Sequence, residues 1–272
     1  MKLAFTTLGC LEWDMDTILS RAVAYGFDGV DFRGYLGELA LFKLPEFTIR
    51  AQETAQRFAD AQLEIPCFSS SARMFSRTDA EQAGHLEEVR AYARMCGFFG
   101  TRFIRIFGGD IGDLPRGQAI ERAGRNLRAM AAIARDHQVT LLLETHDAWT
   151  GCVHLKMLME LADSDSVGIV WDIHHPYRTM GELPSLTWQT LGRWIRYTHW
   201  KDSVTCGNDH PLCLIGEGDL PLEEIYGVLK EGGYDGYLTL EWERKWHPEI
   251  EAPDVAFPGY VRFMNELISA HA

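Results

Sequence analysis

Four short segments of this sequence each carry a side chain suited to holding a divalent cation: Leu143-Glu144-Thr145-His146, Trp171-Asp172-Ile173-His174-His175, Thr198-His199-Trp200-Lys201-Asp202 and Leu240-Glu241-Trp242-Glu243. Every one follows an apolar run that reads as a β-strand. The intervals from Glu144 to Asp172, Asp172 to His199 and His199 to Glu241 are 28, 27 and 42 residues. The first two match one strand-plus-helix repeat and the third adds a long loop. Three carboxylates and one imidazole at equivalent positions of adjacent strands converge on one space. Carboxylates gathered without a counter-ion repel and resist ionisation, whereas a divalent ion holds all three charged. Three oxygen donors and one nitrogen, with no thiolate, suit Mn²⁺ first, and Mg²⁺, Co²⁺ or Zn²⁺ also accept these donor types. Any one of these acids alone would read as a helix N-cap, and the histidine alone as a satisfied core residue. Four in register favour the metal.

The elements that must position them recur along the chain. Strand candidates are Leu3 to Thr6, Gly29 to Phe32, Glu64 to Phe68, Phe103 to Phe107, Thr140 to Glu144, Gly168 to Asp172, Ile195 to His199 and Tyr237 to Glu241. Amphipathic stretches lie between them: Asp16 to Tyr25, Phe47 to Ala61, Asp79 to Cys96, Gln118 to Asp136, His154 to Ala162, Leu186 to Trp194 and Leu222 to Lys230, with Pro258 to Ala270 as the eighth. Glycines close several, as at Gly26, Gly97 and Gly232. Eight alternating pairs over 272 residues, with neither GxGxxG nor GxxxxGK[ST], predict an α/β fold: one (β/α)₈ TIM barrel, residues 1–272, rather than an open nucleotide-binding sheet.

Composition narrows the partners. The chain is 46% hydrophobic and 24% charged, with 26 basic against 39 acidic residues and a net charge of -13. Nucleic acid is not expected, because its affinity comes from basic residues neutralising phosphates. No apolar run approaches the length a bilayer crossing needs, so no membrane partner is expected either. The opening Met1 to Cys10 mimics a short export signal, yet Glu12 and Asp14 follow at once and it reads as a first strand. Six cysteines show no CxxC pairing, which predicts reduced thiols and a cytoplasmic protein.

At these motifs the chain resembles the xylose isomerase-like TIM-barrel superfamily of sugar-phosphate isomerases and epimerases. The resemblance runs nearly end to end, through Leu3-Ala4-Phe5-Thr6-Thr7-Leu8-Gly9-Cys10, Tyr25-Gly26-Phe27-Asp28-Gly29-Val30-Asp31-Phe32-Arg33, the ExH at Glu144, the DxxH at Asp172, the HxKD at His199 and the LEWE at Leu240. It implies a metal site on Glu144, Asp172, His199 and Glu241, with Glu144 and Glu241 also moving protons, and His175 contacting substrate. It implies isomerisation or epimerisation beside a carbonyl through an enediolate, one divalent ion and no organic cofactor. Epimerases of the family carry an arginine shortly after the seventh-strand histidine; Thr205 and its neighbours offer none. The endonuclease branch is disfavoured, since the first four strands supply no histidine for a metal cluster.

Further candidates for substrate binding follow from position. Lys201, two after His199, shares its strand face and either meets a substrate oxyanion or pairs with Glu243 or Asp172. His146, two after Glu144, is a second contact or an orienting partner. Arg105 either binds a substrate carboxylate or phosphate or pairs with Asp31 or Glu144. Trp13, Trp149, Trp171, Trp242 and Trp246 either wall a sugar site or belong to the core. A dehydratase acting on a polyol ketone or a dehydroshikimate-like acid fits the same residues, and a non-catalytic sugar-binding barrel is the alternative outside enzymes. The extra length from Ser203 to Glu217 predicts a lid or a subunit contact, leaving homo-oligomerisation open.

Overall fold

The computed structural model describes residues 1–271. Eight parallel strands form the barrel wall: β1 (Lys2–Thr6), β2 (Gly29–Asp31), β3 (Cys67–Arg73), β4 (Phe103–Phe107), β5 (Thr140–Glu144), β6 (Val167–Asp172), β7 (Ile195–Trp200) and, after a small antiparallel pair β8 (Asp202–Ser203) and β9 (Leu212–Cys213), β10 (Tyr237–Leu240). Their order around the wall is β2-β1-β10-β7-β6-β5-β4-β3. Between β2 and β3 the seam is closed by isolated parallel bridges, Gly29 to Glu64 and Phe32 to Phe68, with Val30 N donating to Glu64 O (3.0 Å) and Ser69 N to Phe32 O (3.0 Å). This is a (β/α)₈ TIM barrel, as the repeat of strand and helix predicts.

Helices α1 (Met15–Tyr25), α2 (Ala51–Asp60), α3 (Asp79–Phe99), α4 (Arg116–Asp136), α5 (Cys152–Ala162), α6 (His174–Met180), α7 (Pro184–Leu191), α8 (Leu222–Glu231) and α9 (Pro253–Ala270) complete the fold. Local chemistry sets several boundaries. Asp14 accepts from Thr17 N at the start of α1, and Gly26 ends that helix at φ 88, a conformation costly for a residue with a β-carbon. Thr78 and Glu81 form a reciprocal capping box at the start of α3.

Four of the differences from the sequence expectation have a clear local cause or change an element. The third strand starts at Cys67 rather than Glu64, because Pro66 has no N–H to give the ladder. Helix α2 is preceded by two 3₁₀ turns, Leu41–Lys43 and Pro45–Phe47, and begins at Ala51 rather than Phe47. Helix α6 was not anticipated; Pro176 sits in its first turn, where a missing N–H costs nothing. Helix α9 starts at Pro253 and carries Pro258 inside it, so Pro258 is not its beginning.

Side chains on a strand alternate between the two faces. Outward residues join the large core under the helices, and inward residues fill the barrel in steps. Ala4, Cys67, Leu142, Val170, Tyr197 and Tyr237, with Phe103 against them, form an apolar floor. One inward step further along the same strands stand Arg105, Glu144, Asp172 and His199, with Glu241 two steps beyond Tyr237, all buried. Among the described residues no helix is long and apolar enough to cross a membrane.

Candidate metal centre

The charged layer lies at the carboxyl ends of the strands, the face where barrels of this kind carry their sites. One donor atom from each of Glu144, Asp172, His199 and Glu241 falls within 4.8 Å of the others. His199 stands between the two glutamates: its Nδ1 is 2.8 Å from Glu144 Oε1 and 3.4 Å from Glu241 Oε1. Its Nε2 faces Asp31 Oδ2 at 3.4 Å, the contact through which a buried carboxylate orients an imidazole. The sequence offers Asp31 within the Tyr25 to Arg33 motif and as a partner for Arg105; its position two residues after Gly29 on β2 is the signal that turns it inward to His199.

The ends of β5 and β6 are locked together by Thr145. Its Oγ1 donates to Asp172 O (3.1 Å) and accepts from Asp172 N (3.0 Å). Asp172 Oδ1 then accepts from His174 N (2.9 Å) and His175 N (3.1 Å), capping α6. One carboxylate thus caps the helix through Oδ1 and still turns Oδ2 inward. Lys201 Nζ lies 2.8 Å from that Oδ2, off the direction of a hydrogen bond, and donates to Glu241 Oε2 (2.7 Å) and to Glu243. Arg105 Nε approaches Glu144 Oε2 at 3.5 Å, while its Nη1 donates to Ser70 O (2.9 Å). Glu144 Oε2 and Asp172 Oδ2 are buried, each met only by its ion-pair cation, Arg105 or Lys201. Two such oxygens, beside a third carboxylate and an imidazole nitrogen, fit a divalent cation by donor type and by spacing.

Electrostatics agree with the crowding. Burial opposes ionisation of Glu144, yet Arg105 and His199 outweigh it and hold the carboxyl well below its ordinary range. Glu241 is likewise held down, burial being overcome by Lys201 and His199. Lys201 is pushed up against its burial by Asp172, Glu241 and Glu243, so its ammonium is a permanent charge of the site.

The remaining predicted residues line the rim. His175 Nδ1 lies 3.2 Å from Thr145 O, and its ring meets that of His146 edge-on with centroids 4.7 Å apart. His146 in turn pairs with Asp147 Oδ1 (2.7 Å) and packs 4.9 Å from the Phe107 ring. His174 sits beside Asp172 and His175, close enough for a second donor group, but its Nε2 is engaged with Ser203 Oγ at 3.0 Å. The strand faces thus bring together all eight predicted site residues at one mouth. The tryptophans do not follow: Trp13, Trp149, Trp171 and Trp242 are buried core and Trp246 is exposed. Trp149 seats on Gly108, where a β-carbon would stand 2.2 Å from its ring.

The long segment after β7 is tied down rather than free. Asp202 Oδ2 accepts from Gly216 N and Gly218 N (both 3.0 Å), and Asp202 Oδ1 from Ser203 N (2.8 Å). The guanidinium beside Thr205 comes from α6: Arg178 Nη1 donates to Thr205 Oγ1 (3.0 Å), Nη2 to Ser203 O (2.6 Å), and Arg178 also pairs with Asp219.

Solved structures of similar shape include IolI protein with a bound zinc atom (TM-score 0.86, 17% identity, 100% of this chain and 99% of that chain). They include the probable 3-DHS dehydratase AsbF of Bacillus anthracis (TM-score 0.80, 19% identity, 97% and 99%) and the 3-keto-D-glucoside 4-epimerase YcjR of E. coli (TM-score 0.78, 13% identity, 99% and 99%). At these identities the likeness is one of fold. Among curated proteins, an uncharacterized protein of Methanocaldococcus jannaschii is 27% identical over 150 residues, which is 53% of this chain and only half the length of that relative. Residues 19–258 match the family described as Xylose isomerase-like TIM barrel, and with the inward-facing quartet at the carboxyl ends of its strands, this chain belongs to that family.

Proposed function

We propose that this protein is a divalent-metal-dependent enzyme that transfers a proton beside a carbonyl of a sugar or sugar-phosphate, as an isomerase or epimerase. Glu144, Asp172, His199 and Glu241 hold the ion, Mn²⁺ by preference, and Glu144 and Glu241 carry the proton. The observation behind the reading is the placement of the two glutamates. They stand at the ends of the β5-β6-β7-β10 arc, with Asp172 and His199 between them. A substrate carbon above His199 therefore has a carboxylate on either side.

One carboxylate takes the proton next to the carbonyl, and the other returns a proton to the opposite face or to the neighbouring carbon. The bound ion supplies polarisation of the substrate carbonyl and hydroxyl oxygens. Lys201 holds Glu241 ionised at rest and Arg105 does the same for Glu144, so either can take the substrate proton, and the one that returns a proton first takes it up from solvent. His175 and His146, half-buried at the rim, present ring nitrogens to substrate hydroxyls.

Dehydration is the second reading. It shares the first proton abstraction and differs in the loss of a hydroxyl from the next carbon, to which His146, its pKa raised against burial by Asp147 and Glu144, delivers a proton. The fold shared with a probable 3-DHS dehydratase favours keeping it.

Metal per chain, measured by mass spectrometry after reloading with Mn²⁺, tests the site: one ion is expected, and none after changes at the quartet. Turnover of ketose candidates in D₂O tests the chemistry. Solvent deuterium in a product of unchanged composition supports isomerisation or epimerisation, and an absorbing enone product supports dehydration. No metal uptake overturns the reading in favour of a sugar-binding barrel without turnover.

A further inference from the structure

Arg33 stands one inward step beyond Asp31. Phe32 between them points outward into the helix layer, packing on Phe47, Phe58 and Phe68, so Arg33 shares the interior face with Asp31. Only 6% of it is exposed. Its guanidinium has no carboxylate within 4.0 Å among the described residues, and Nη1 is buried without any acceptor. An unpaired buried cation is costly, so a fold that keeps one has a use for it.

The surroundings point to what that use is. Arg105, 1% exposed, is a second guanidinium on the same wall; its Nη1 donates to Ser70 O, and its Nε faces Glu144 Oε2 at 3.5 Å without a hydrogen bond. Both cations lie against one ring, Phe107, with Cζ 3.9 Å from the centroid for Arg105 and 5.6 Å for Arg33. Burial, and then the neighbouring Arg105, lower the Arg33 pKa to about 10, which still leaves it charged at neutral pH. Of the acids whose fields reach both, Glu144 and Glu241 belong to the quartet, and Glu88 is engaged with Ser71 N at 2.7 Å. The backbone is set as well: Arg33 N donates to Thr7 Oγ1 (3.0 Å), which itself donates to Gly34 O. From this pair the half-buried rings of Phe107, His146 and His175 lead in successive contact to Asp172 of the acid quartet.

We propose that Arg33 and Arg105 form a subsite for a carboxylate group of the substrate, so that the molecule turned over is a hydroxylated acid with its reacting carbonyl at the quartet. This names the substrate class for the reading above and rests on it. Two guanidinium forks with free N–H donors match the two oxygens of a planar carboxylate. A monoanion also suits a mouth already holding Glu144, Asp172, Glu241 and Glu243 better than a dianion such as phosphate.

The test is a matched-pair titration by isothermal calorimetry into manganese-loaded and metal-free protein. Shikimate is compared with its methyl ester, and D-gluconate with D-glucitol. The acid of at least one pair is expected to bind tenfold or more tightly than its neutral partner. In Arg33→Met that ratio falls towards one, and Arg33→Lys recovers part of it. Acetate is expected to compete with the acid more strongly than inorganic phosphate does. Ratios within twofold for both pairs in the unaltered protein, no binding of either acid, a ratio that survives Arg33→Met, or stronger competition by phosphate would each overturn the proposal. If Arg33→Met fails to fold, the ratios in the unaltered protein decide. Acid preference without metal uptake at the quartet sustains the subsite and removes the metal-enzyme reading; metal uptake without acid preference does the reverse.

Discussion

Two layers of the barrel interior, one inward step apart on the same strands, have opposite chemistry. Leu142 precedes Glu144, Val170 precedes Asp172, Tyr197 precedes His199, and Tyr237 lies two inward steps before Glu241. The lower member of each pair joins the apolar floor and the upper one the charged mouth. The floor gains from burial, whereas the mouth gathers like charges out of water, held only by Lys201, Arg105 and His199. The contrast separates stability from function over one inward step, and each change below bears on one layer and spares the other.

The largest effect is expected at the glutamates. Glu144→Gln and Glu241→Gln keep volume and shape but remove the base, and each should lower kcat by roughly 10²- to 10⁴-fold, the usual share of a positioned acid or base. Single-turnover rates on a substrate found by the ketose or acid screens check this. A loss below about tenfold in both would place the proton transfer elsewhere. Lys201→Met comes next. It leaves Asp172, Glu241 and Glu243 facing one another without their shared cation, and should cost about 3–5 kcal/mol in metal-free protein. Urea unfolding in chelator measures it, and Mn²⁺ should recover part of the loss.

Below the mouth, Leu142→Ala empties part of a fully buried floor and should cost about 2–4 kcal/mol in the same assay, with metal per folded chain unchanged. If metal content fell with stability, the two layers would not be independent. Asp202→Ala should cost about 1–3 kcal/mol, because it strips the acceptor from Ser203, Gly216 and Gly218 N–H groups. Faster amide exchange confined to those residues is the expected signature, and the tie leaves no room for a side chain at Gly218, where a β-carbon would stand 2.2 Å from Asp202 Oδ1.

Much of this was legible in the residues because alternation and repeat act at short range. The barrel strands carried their apolar runs openly, and the quartet was visible because four of them ended in metal-type donors. What escaped did so for stated causes. Ser69, Ser70 and Ser71 extend β3 with residues that do not read as strand, while Pro66 blocks its expected start. His174-His175-Pro176-Tyr177 reads as a loop, yet becomes helix because Asp172 caps it from β6. Asp31 and Arg33 lay in a quoted motif, but their meeting with His199 and Arg105 depends on closure of the barrel across distant strands. The tryptophans were ambiguous because size alone does not say which side of a strand or loop a ring takes.

The smallest effect tests whether the long segment after β7 belongs with the rigid floor or with the mouth. Arg178 holds it at three points, and its pairing with Asp219 lowers that carboxyl to about 2. A carboxyl whose folded pKa is depressed contributes stability that is present above its unfolded value, about 3.9, and lost as pH falls through the folded value. The tie should therefore persist through mild acid and release only near pH 2. Carboxyl carbon shifts of Asp219 read the titration directly, and amide exchange at Thr205, whose N–H donates to Asp219 Oδ2 (3.1 Å), reads the release. Asp219 is half exposed, so salt should weaken the tie. Asp219→Asn should speed exchange at Thr205 alone, since Arg178 keeps its bonds to Ser203 O and Thr205 Oγ1, whereas Arg178→Met should free the whole segment. Titration of Asp219 at an ordinary carboxylate value would show that the guanidinium holds the backbone without the acid, and would move this segment from the clamped floor to the adaptable mouth.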